Sequence, residues 1–175
     1  IEEVSIDLLK SYKSLAEELM PNAVVVADRF HVMSHINEEL DKERRKIKKD
    51  IEKIKDRERK EKSLEIMTHS KYTLLKNEQD LNELQKEKLI EIKKSFPGLS
   101  EMHRAKELLR DIFEKEKDWV NGLFRICDWL KEACMIFPKS YGTVRRWIGE
   151  IIAYFDNRTT QGAVEGINNK LKLIK

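Results

Sequence analysis

Cysteine is scarce in this sequence: only Cys127 and Cys134 occur, seven residues apart within a helical pattern. A small secreted domain held together by disulfides carries far more cysteine, so the sequence argues against that class. We expect both thiols to be reduced and buried on one helix face of an intracellular protein. The chain of 175 residues, 40% hydrophobic and 38% charged, has the composition of one charge-rich globular domain.

Long apolar runs and chain breakers are also scarce. No apolar run approaches the roughly 20 residues of a membrane span, and the opening IEEVSIDLLK is not typical of a signal peptide. Between Asn22 and Phe96 there is no glycine or proline, the residues that usually interrupt helices. Apolar residues recur at helical spacing instead, which predicts an all-helical middle. The first of these stripes is formed by Met33, Ile36, Leu40, Ile47, Ile51 and Ile54.

The first thirty residues have a different pattern, typical of a strand, a helix and a second strand. Val4 and Ile6 alternate with polar residues, and the segment from Ala23 to Ala27 is short, wholly apolar and rich in valine. Such a run is typical of a strand buried on both faces. The helix between them has one apolar face, formed by Leu8, Tyr12, Leu15 and Leu19. We therefore expect a right-handed βαβ unit with parallel strands.

Each predicted strand is followed by an aspartate, Asp7 and Asp28. The carboxyl ends of parallel strands meet at the edge where open α/β sheets bind ligands. Two carboxylates there suit Mg²⁺, which prefers hard oxygen ligands. The alternative is that Asp28 caps the following helix, because aspartate is a favoured N-cap residue. The pattern alone leaves both possibilities open.

A third carboxylate, Glu165, lies near the C-terminus in a predicted final helix that begins near Gly162. Its apolar stripe is formed by Val164, Ile167, Leu171 and Ile174, and the opposite side gathers Glu165, Asn168, Asn169 and Lys172. Glu165 is therefore either a carboxylate placed favourably in the first turn of a helix or a third acidic ligand beside phosphate-binding groups.

Three stretches at the two ends of the chain are informative together: VSIDLLKSY, MPNAVVVADRFHVMSHINEELDKERR and TTQGAVEGINNKLKLIK. They resemble the corresponding stretches of bacterial insertion-sequence transposases. The resemblance is to the ISL3 type, relatives of the Mutator-like DDE transposases, and it is loose in the helical middle. It implies an RNase H-like sheet that carries Asp, Asp and Glu, with a helical insertion between the second Asp and the Glu. It also implies Mg²⁺ or Mn²⁺ as cofactor, and cleavage and joining of DNA ends.

The resemblance assigns roles to individual residues. Asp7 matches the second catalytic aspartate and Glu165 the final glutamate, and both are expected to bind metal. Asp28 and His31 match an Asp-x-x-His motif after the next strand; the expected supporting residues are Asp28, His31, Arg29, Asn168 and Asn169. The first catalytic aspartate is expected upstream of residue 1, because the segment between Asp7 and Asp28 holds only one helix and one strand. Gln161 departs from the family pattern, in which Asn is expected before the Gly.

The resemblance also implies an organisation and a set of partners. We expect a mainly α fold with a remnant of an RNase H-like parallel sheet in residues 1–34, a large helical insertion in 35–156 and a catalytic helix in 157–175. The chain is expected to be a piece of a longer protein and inactive alone. The expected partners are double-stranded DNA and further copies of the protein in a synaptic complex, with no membrane, in a cytoplasmic and nucleoid-associated location.

Basic residues are concentrated between Asp41 and Lys62, where 12 basic and 7 acidic side chains occur, although the net charge of the chain is only +3. This helix has either a solvated, salt-bridged face or a face that contacts DNA phosphates. The expected DNA contacts are Lys48, Lys49, Arg158, Lys170 and Lys172. A rival interpretation of the whole chain is a non-enzymatic helical module that binds DNA or another protein.

The neighbouring residues in the sequence predict where the histidines and tryptophans lie. His69 and His103 have polar neighbours and are expected at the surface. The three tryptophans accompany apolar stripes and are expected in the core; they are Trp119, Trp129 and Trp147.

Overall fold

The computed structural model describes residues 2–157, which are mainly helical and contain one small parallel sheet. The elements are β1 (Glu3–Ile6), α1 (Lys10–Leu19), β2 (Val24–Ala27), α2 (Arg29–Glu52), α3 (Arg57–Met67), α4 (Ser70–Leu75), a 3-10 turn (Glu78–Asp80), α5 (Glu83–Ser95), α6 (Pro97–Lys115), α7 (Trp119–Ile136), α8 (Pro138–Arg146) and α9 (Ile148–Asn157). The predicted mainly helical class with a short parallel sheet is confirmed.

The βαβ unit forms as predicted. β1 pairs with β2 in parallel, from Glu3 opposite Val24 to Ile6 opposite Ala27. The prediction that the second strand is buried on both faces is wrong for its first half, because Val24 is 53% exposed while Val26 and Ala27 are buried. In the described part of the chain the sheet has only two strands, too few neighbours to bury β2 throughout.

Helix α1 exposes most of the apolar face that the sequence gives it. Tyr12, Leu15 and Leu19 are all exposed, and Ala16 is the buried residue of this helix. Lys13 ties α1 to α9 through an ion pair with Glu150. The hydrogen bond to Glu150 raises the pKa of Lys13 above its ordinary value.

Helix α2 is the longest element and connects the sheet to the helical body. Its buried residues are Val32, Ile36, Leu40 and Ile51. All but Val32 belong to the predicted stripe, and the other members of that stripe pack against the core while only partly buried. Glu39 binds the start of α8: its carboxylate accepts hydrogen bonds from the Ser140 amide at 2.8 Å and the Ser140 hydroxyl at 2.6 Å. A carboxylate at the N-terminus of a helix is favoured by the exposed N–H groups and the helix dipole. This contact fixes α8 against α2.

Helix α9 packs against β2 and α7. Its Phe155 ring stacks on Phe113 of α6 at a centroid distance of 5.9 Å, and Tyr154 meets the same ring edge-on at 5.6 Å. Gly122 of α7 makes close approach possible, because a Cβ there would lie 2.6 Å from the Phe155 ring. These contacts attach α9 to both the sheet and the helical body.

His103 contradicts its predicted surface position, since it is fully buried in α6. Helix α6 is packed by α2, α5 and α7, so it has little outward face in spite of its polar sequence. Burial lowers the pKa of His103 to about 3, and the positive charges of Lys106 and Lys93 act in the same direction. His103 is therefore neutral near pH 7, although its Nδ1 lies 3.6 Å from a carboxylate oxygen of Glu78.

Two residues of α7 that were expected to be buried, Trp119 and Cys134, are exposed. Trp129 and Trp147 are buried as expected, but Trp119 at the start of α7 is exposed. Cys127 is partly buried and Cys134 is exposed, so the expectation of two buried thiols is wrong for Cys134. Helix α7 packs through the side that carries its buried residues, and the other side of the helix faces solvent.

Candidate active site

Asp7 and Asp28 lie at the same edge of the sheet, as the parallel register requires. Each follows the last residue of its strand, and the Asp28 amide donates a hydrogen bond to the Ile6 carbonyl at 3.0 Å. The two aspartates nevertheless differ in surroundings. Asp28 is fully buried, whereas the side chain of Asp7 is about one-third exposed.

Asp28 caps α2. Its backbone is extended, and its Oδ1 accepts a hydrogen bond from the Phe30 amide at 2.9 Å. The side chain thus satisfies one of the amides that the first turn of a helix leaves unpaired. The capping alternative is confirmed, and full burial makes this carboxylate a poor first contact for a solvated ion or a DNA strand.

His31 turns toward Asp7. It lies three residues after the cap, and its Nε2 is 2.7 Å from Oδ1 of Asp7. The cap therefore fixes the first turn of α2, and that turn aims the imidazole at the strand-end carboxylate. One oxygen of Asp7 is held by this contact, which leaves its other oxygen for a further ligand.

Arg29 joins this corner to α9. Its guanidinium lies 5.0 Å from the centroid of the Phe30 ring and 6.0 Å from that of Tyr154. Cations are attracted to aromatic faces at such distances. Because Tyr154 belongs to α9, the contact brings the last described helix close to the start of α2.

The remaining predicted residues near the C-terminus lie outside the described part of the chain; they are Glu165, Asn168, Asn169, Arg158, Lys170 and Lys172. Seven residues lie between Asn157, the end of α9, and Glu165, so eight Cα–Cα steps join these two residues. A segment of that length spans at most about 29 Å when fully extended. The start of this segment is anchored by α9, whose Tyr154 lies beside Arg29 at the start of α2.

The carboxylate of Asp7 is a suitable ligand for a divalent ion, but one carboxylate supplies only part of the coordination shell. Carboxylate oxygens suit Mg²⁺, and an imidazole nitrogen is also compatible with transition metals. Within residues 2–157, no group of three or more His, Cys, Asp or Glu side chains could hold an ion.

Two of the lysines predicted to contact DNA, Lys48 and Lys49, are exposed on α2. Several of their neighbours are engaged in ion pairs, such as Lys46 with Glu43 and Lys53 with Asp50. Lys48 and Lys49 make no ion pair with any described residue. The salt-bridged description thus holds for part of this helix, and two exposed ammonium groups remain available for another partner.

The sequence did not reveal the contacts that bring α9 to this corner. Tyr154 and Arg29 are 125 residues apart, and Lys13 and Glu150 are 137 apart. Both α9 residues occur in an ordinary amphipathic pattern, which identifies a helix but not the surface on which it packs. Among the described helices none is long and apolar enough to cross a membrane.

A family model and two curated proteins match this chain, and all of them are transposases. The family model of ISL3-type DDE transposases, described as a transposase, matches residues 1–175. The transposases for insertion sequence element IS1557 from two Mycobacterium tuberculosis strains, CDC 1551 / Oshkosh and ATCC 25618 / H37Rv, are each 29% identical over 191 residues. The alignment covers 99% of this chain but 43% of each relative, so the chain spans less than half their length. No solved structure matches the chain.

Proposed function

Because this chain belongs to the ISL3 family of DDE transposases, we propose that it forms part of the catalytic core of an enzyme that cuts and joins insertion-sequence DNA. The proposal is supported by one observation above all. Asp7 stands partly exposed at a strand end, in contact with His31, and α9 leads the chain back to the same corner.

In this proposal Asp7 and Glu165 hold one or two divalent ions, Mg²⁺ or Mn²⁺. Such ions activate the attacking oxygen and stabilise the leaving oxygen during in-line displacement at phosphorus. Asp7 presents its oxygens from the sheet edge, and His31 restricts the rotation of that carboxylate. Asp28 fixes the turn that carries His31, so both act as positioning residues. Arg29, Asn168 and Asn169 support the site around them.

The rest of an RNase H-like sheet is proposed to come from residues that precede Ile1. Two strands cannot form such a sheet alone, and the curated relatives are more than twice as long as this chain. The exposed apolar face of α1, which includes Tyr12 and Leu15, gives that segment a surface to cover. The first catalytic aspartate would be carried there, and residues 1–175 alone would then be inactive.

The division of the chain follows from the same proposal. Residues 1–34 belong to the catalytic core, residues 35–156 form the insertion, and residues 157–175 return to the core with Glu165. Transposon ends and target DNA are the proposed partners, with more than one copy of the protein in the synaptic complex. The proposed contacts to DNA phosphates are Lys48, Lys49, Arg158, Lys170 and Lys172.

Conservative variants of the two proposed metal ligands test this function. In the full-length protein, Asp7→Asn and Glu165→Gln should each reduce strand cleavage at the element's own ends by at least a thousandfold, because an amide is a poor ligand for Mg²⁺. Binding of the same DNA should persist. The matched control is Asp111→Asn on α6, whose carboxylate pairs with Arg110 and Lys115. Cleavage retained by Asp7→Asn, or lost equally by the control, would refute the assignment.

Binding of the full-length protein to the same DNA tests the two lysines of α2. Replacing Lys48 and Lys49 by Glu should weaken DNA binding and make it less dependent on salt, because fewer counterions are released. Lys86 and Lys94 on α5 allow a control with the same change of charge. Equal losses in both double variants would mean that α2 makes no specific contact with phosphate.

A further inference from the structure

A cavity of about 490 Å³ opens between α2, α4 and α6, next to the candidate active site. Arg29 and Phe30, which line it, are the residues between the Asp28 cap and His31. Ser34 also lines the cavity, and it lies three residues after His31 in α2. Residues three apart in a helix have Cβ atoms about 5–6 Å apart. The cavity thus begins about one helical turn from the imidazole that contacts Asp7.

We propose that this cavity receives a single unstacked DNA nucleotide that neighbours the phosphodiester cut at Asp7. The inference rests on the proposed function and adds the part of the DNA that is recognised where the catalytic core meets the helical insertion. The volume lies within the range of ligand cavities, about 300–1,000 Å³. It is large enough for one base with its sugar and phosphate.

The wall of the cavity offers a surface on which a base can stack. Phe30 is 47% exposed although it is aromatic, and the Arg29 guanidinium lies against its ring. Bases stack on aromatic rings and on guanidinium planes in many nucleic-acid-binding proteins. Met33, Leu75 and Phe113 give the cavity further apolar lining.

Asn37 provides a hydrogen-bonding group in the same cavity. Its Oδ1 is buried and has no hydrogen-bond partner among the described residues. A buried acceptor that stays unpaired is unfavourable, because it has given up its hydrogen bonds to water. A rotation of the Asn37 amide that brings this oxygen to the cavity surface would let it accept a hydrogen bond from an amino or ring N–H group of a base edge, and the amide NH₂ can donate in return.

The charges around the cavity leave two cations for a phosphate. Lys106 is occupied by the carbonyls of Leu74 and Lys76, and Arg110 by three carboxylates. Arg29 and Lys71 make no ion pair with any described residue. One guanidinium and one ammonium group therefore line the cavity without an ion-pair partner. The exposed carboxylate of Glu38 also lines it, so these free charges leave an excess of one positive charge for an anionic nucleotide.

The test combines a protein variant with a missing base. The full-length protein is given duplexes of the element's own end in which one nucleotide near the cleavage position is abasic. On the intact duplex, Phe30→Ala should weaken binding about tenfold, within the range measured for loss of base stacking. On the duplex that lacks the bound base, the same variant should have almost no effect, because the two changes remove one interaction.

Phe124→Ala on α7 is the matched control, since Phe124 is also exposed and does not line the cavity. It should bind intact and abasic duplexes like the wild type. Phe30→Leu, which keeps apolar bulk without an aromatic ring, should behave like Phe30→Ala and provides a second variant. If the Phe30 variants lose the same factor on every duplex, or lose nothing, the nucleotide proposal is overturned.

The outcome can be separated from that of the proposed function. If Asp7→Asn abolishes cleavage but no abasic position is coupled to Phe30, only the nucleotide proposal fails. If Asp7→Asn cleaves normally, the proposed function fails, and any coupling to Phe30 would then indicate DNA binding without catalysis at Asp7.

Discussion

Asp28 shows at the scale of one residue how burial decides between two roles of a carboxylate. The sequence allowed both metal binding and helix capping, since either role places Asp between a strand and a helix. Full burial and the hydrogen bond from the Phe30 amide assign it to the cap. Asp7, only partly buried, remains the carboxylate on this edge that a ligand can reach.

His103 gives the clearest pH dependence at this scale. Its pKa is lowered to about 3 in the folded protein and lies near 6.5 in the unfolded chain, so the unfolded chain binds the extra proton in between. Stability should therefore fall as the pH is lowered from about 6.5 toward 3. Relative to His103→Leu, the free energy of unfolding should fall by about 2 kcal/mol between pH 7 and pH 5.

Urea denaturation of both proteins at each pH measures this difference. His69→Leu is the control, because it removes an exposed imidazole instead of a buried one. A difference between the wild type and His103→Leu that stays constant from pH 7 to pH 5 would show that His103 titrates alike in the folded and unfolded states.

At the scale of elements, the sequence predicted what local periodicity can encode. The βαβ unit depends on a short valine-rich run and one amphipathic helix within thirty residues, and it formed as expected. The burial of His103 and the packing of α9 on β2 depend on residues far away in the chain, so local patterns contain no signal for them. The exposed apolar face of α1 was not foreseen for the same reason.

The contact between α7 and α9 is tested by two glycines. Gly122→Ala should destabilise the protein by about 1–3 kcal/mol, because the added methyl group would meet the Phe155 ring at 2.6 Å. Gly142→Ala on α8 should instead stabilise it by about 0.5–1 kcal/mol, because nothing lies within 4 Å and alanine favours a helix. Thermal unfolding of both variants measures the contrast. Equal effects would show that α7 and α9 do not pack this closely.

At the scale of the whole molecule, the described residues form a helical body attached to one edge of a small sheet. The match to a transposase family covers the full chain, while the curated relatives are more than twice as long. The family was recognisable from the two ends of the sequence, which carry Asp7, Asp28, His31 and Glu165. The position of Glu165 in space stays a prediction, because it lies outside residues 2–157.

The most direct measurement is the position of Mn²⁺ in crystals of the full-length protein, located by its anomalous scattering. The account predicts bound Mn²⁺ in contact with carboxylate oxygens of both Asp7 and Glu165, with those carboxylates within roughly 8 Å of each other. Mn²⁺ bound elsewhere, with Glu165 several times that distance from Asp7, would contradict it.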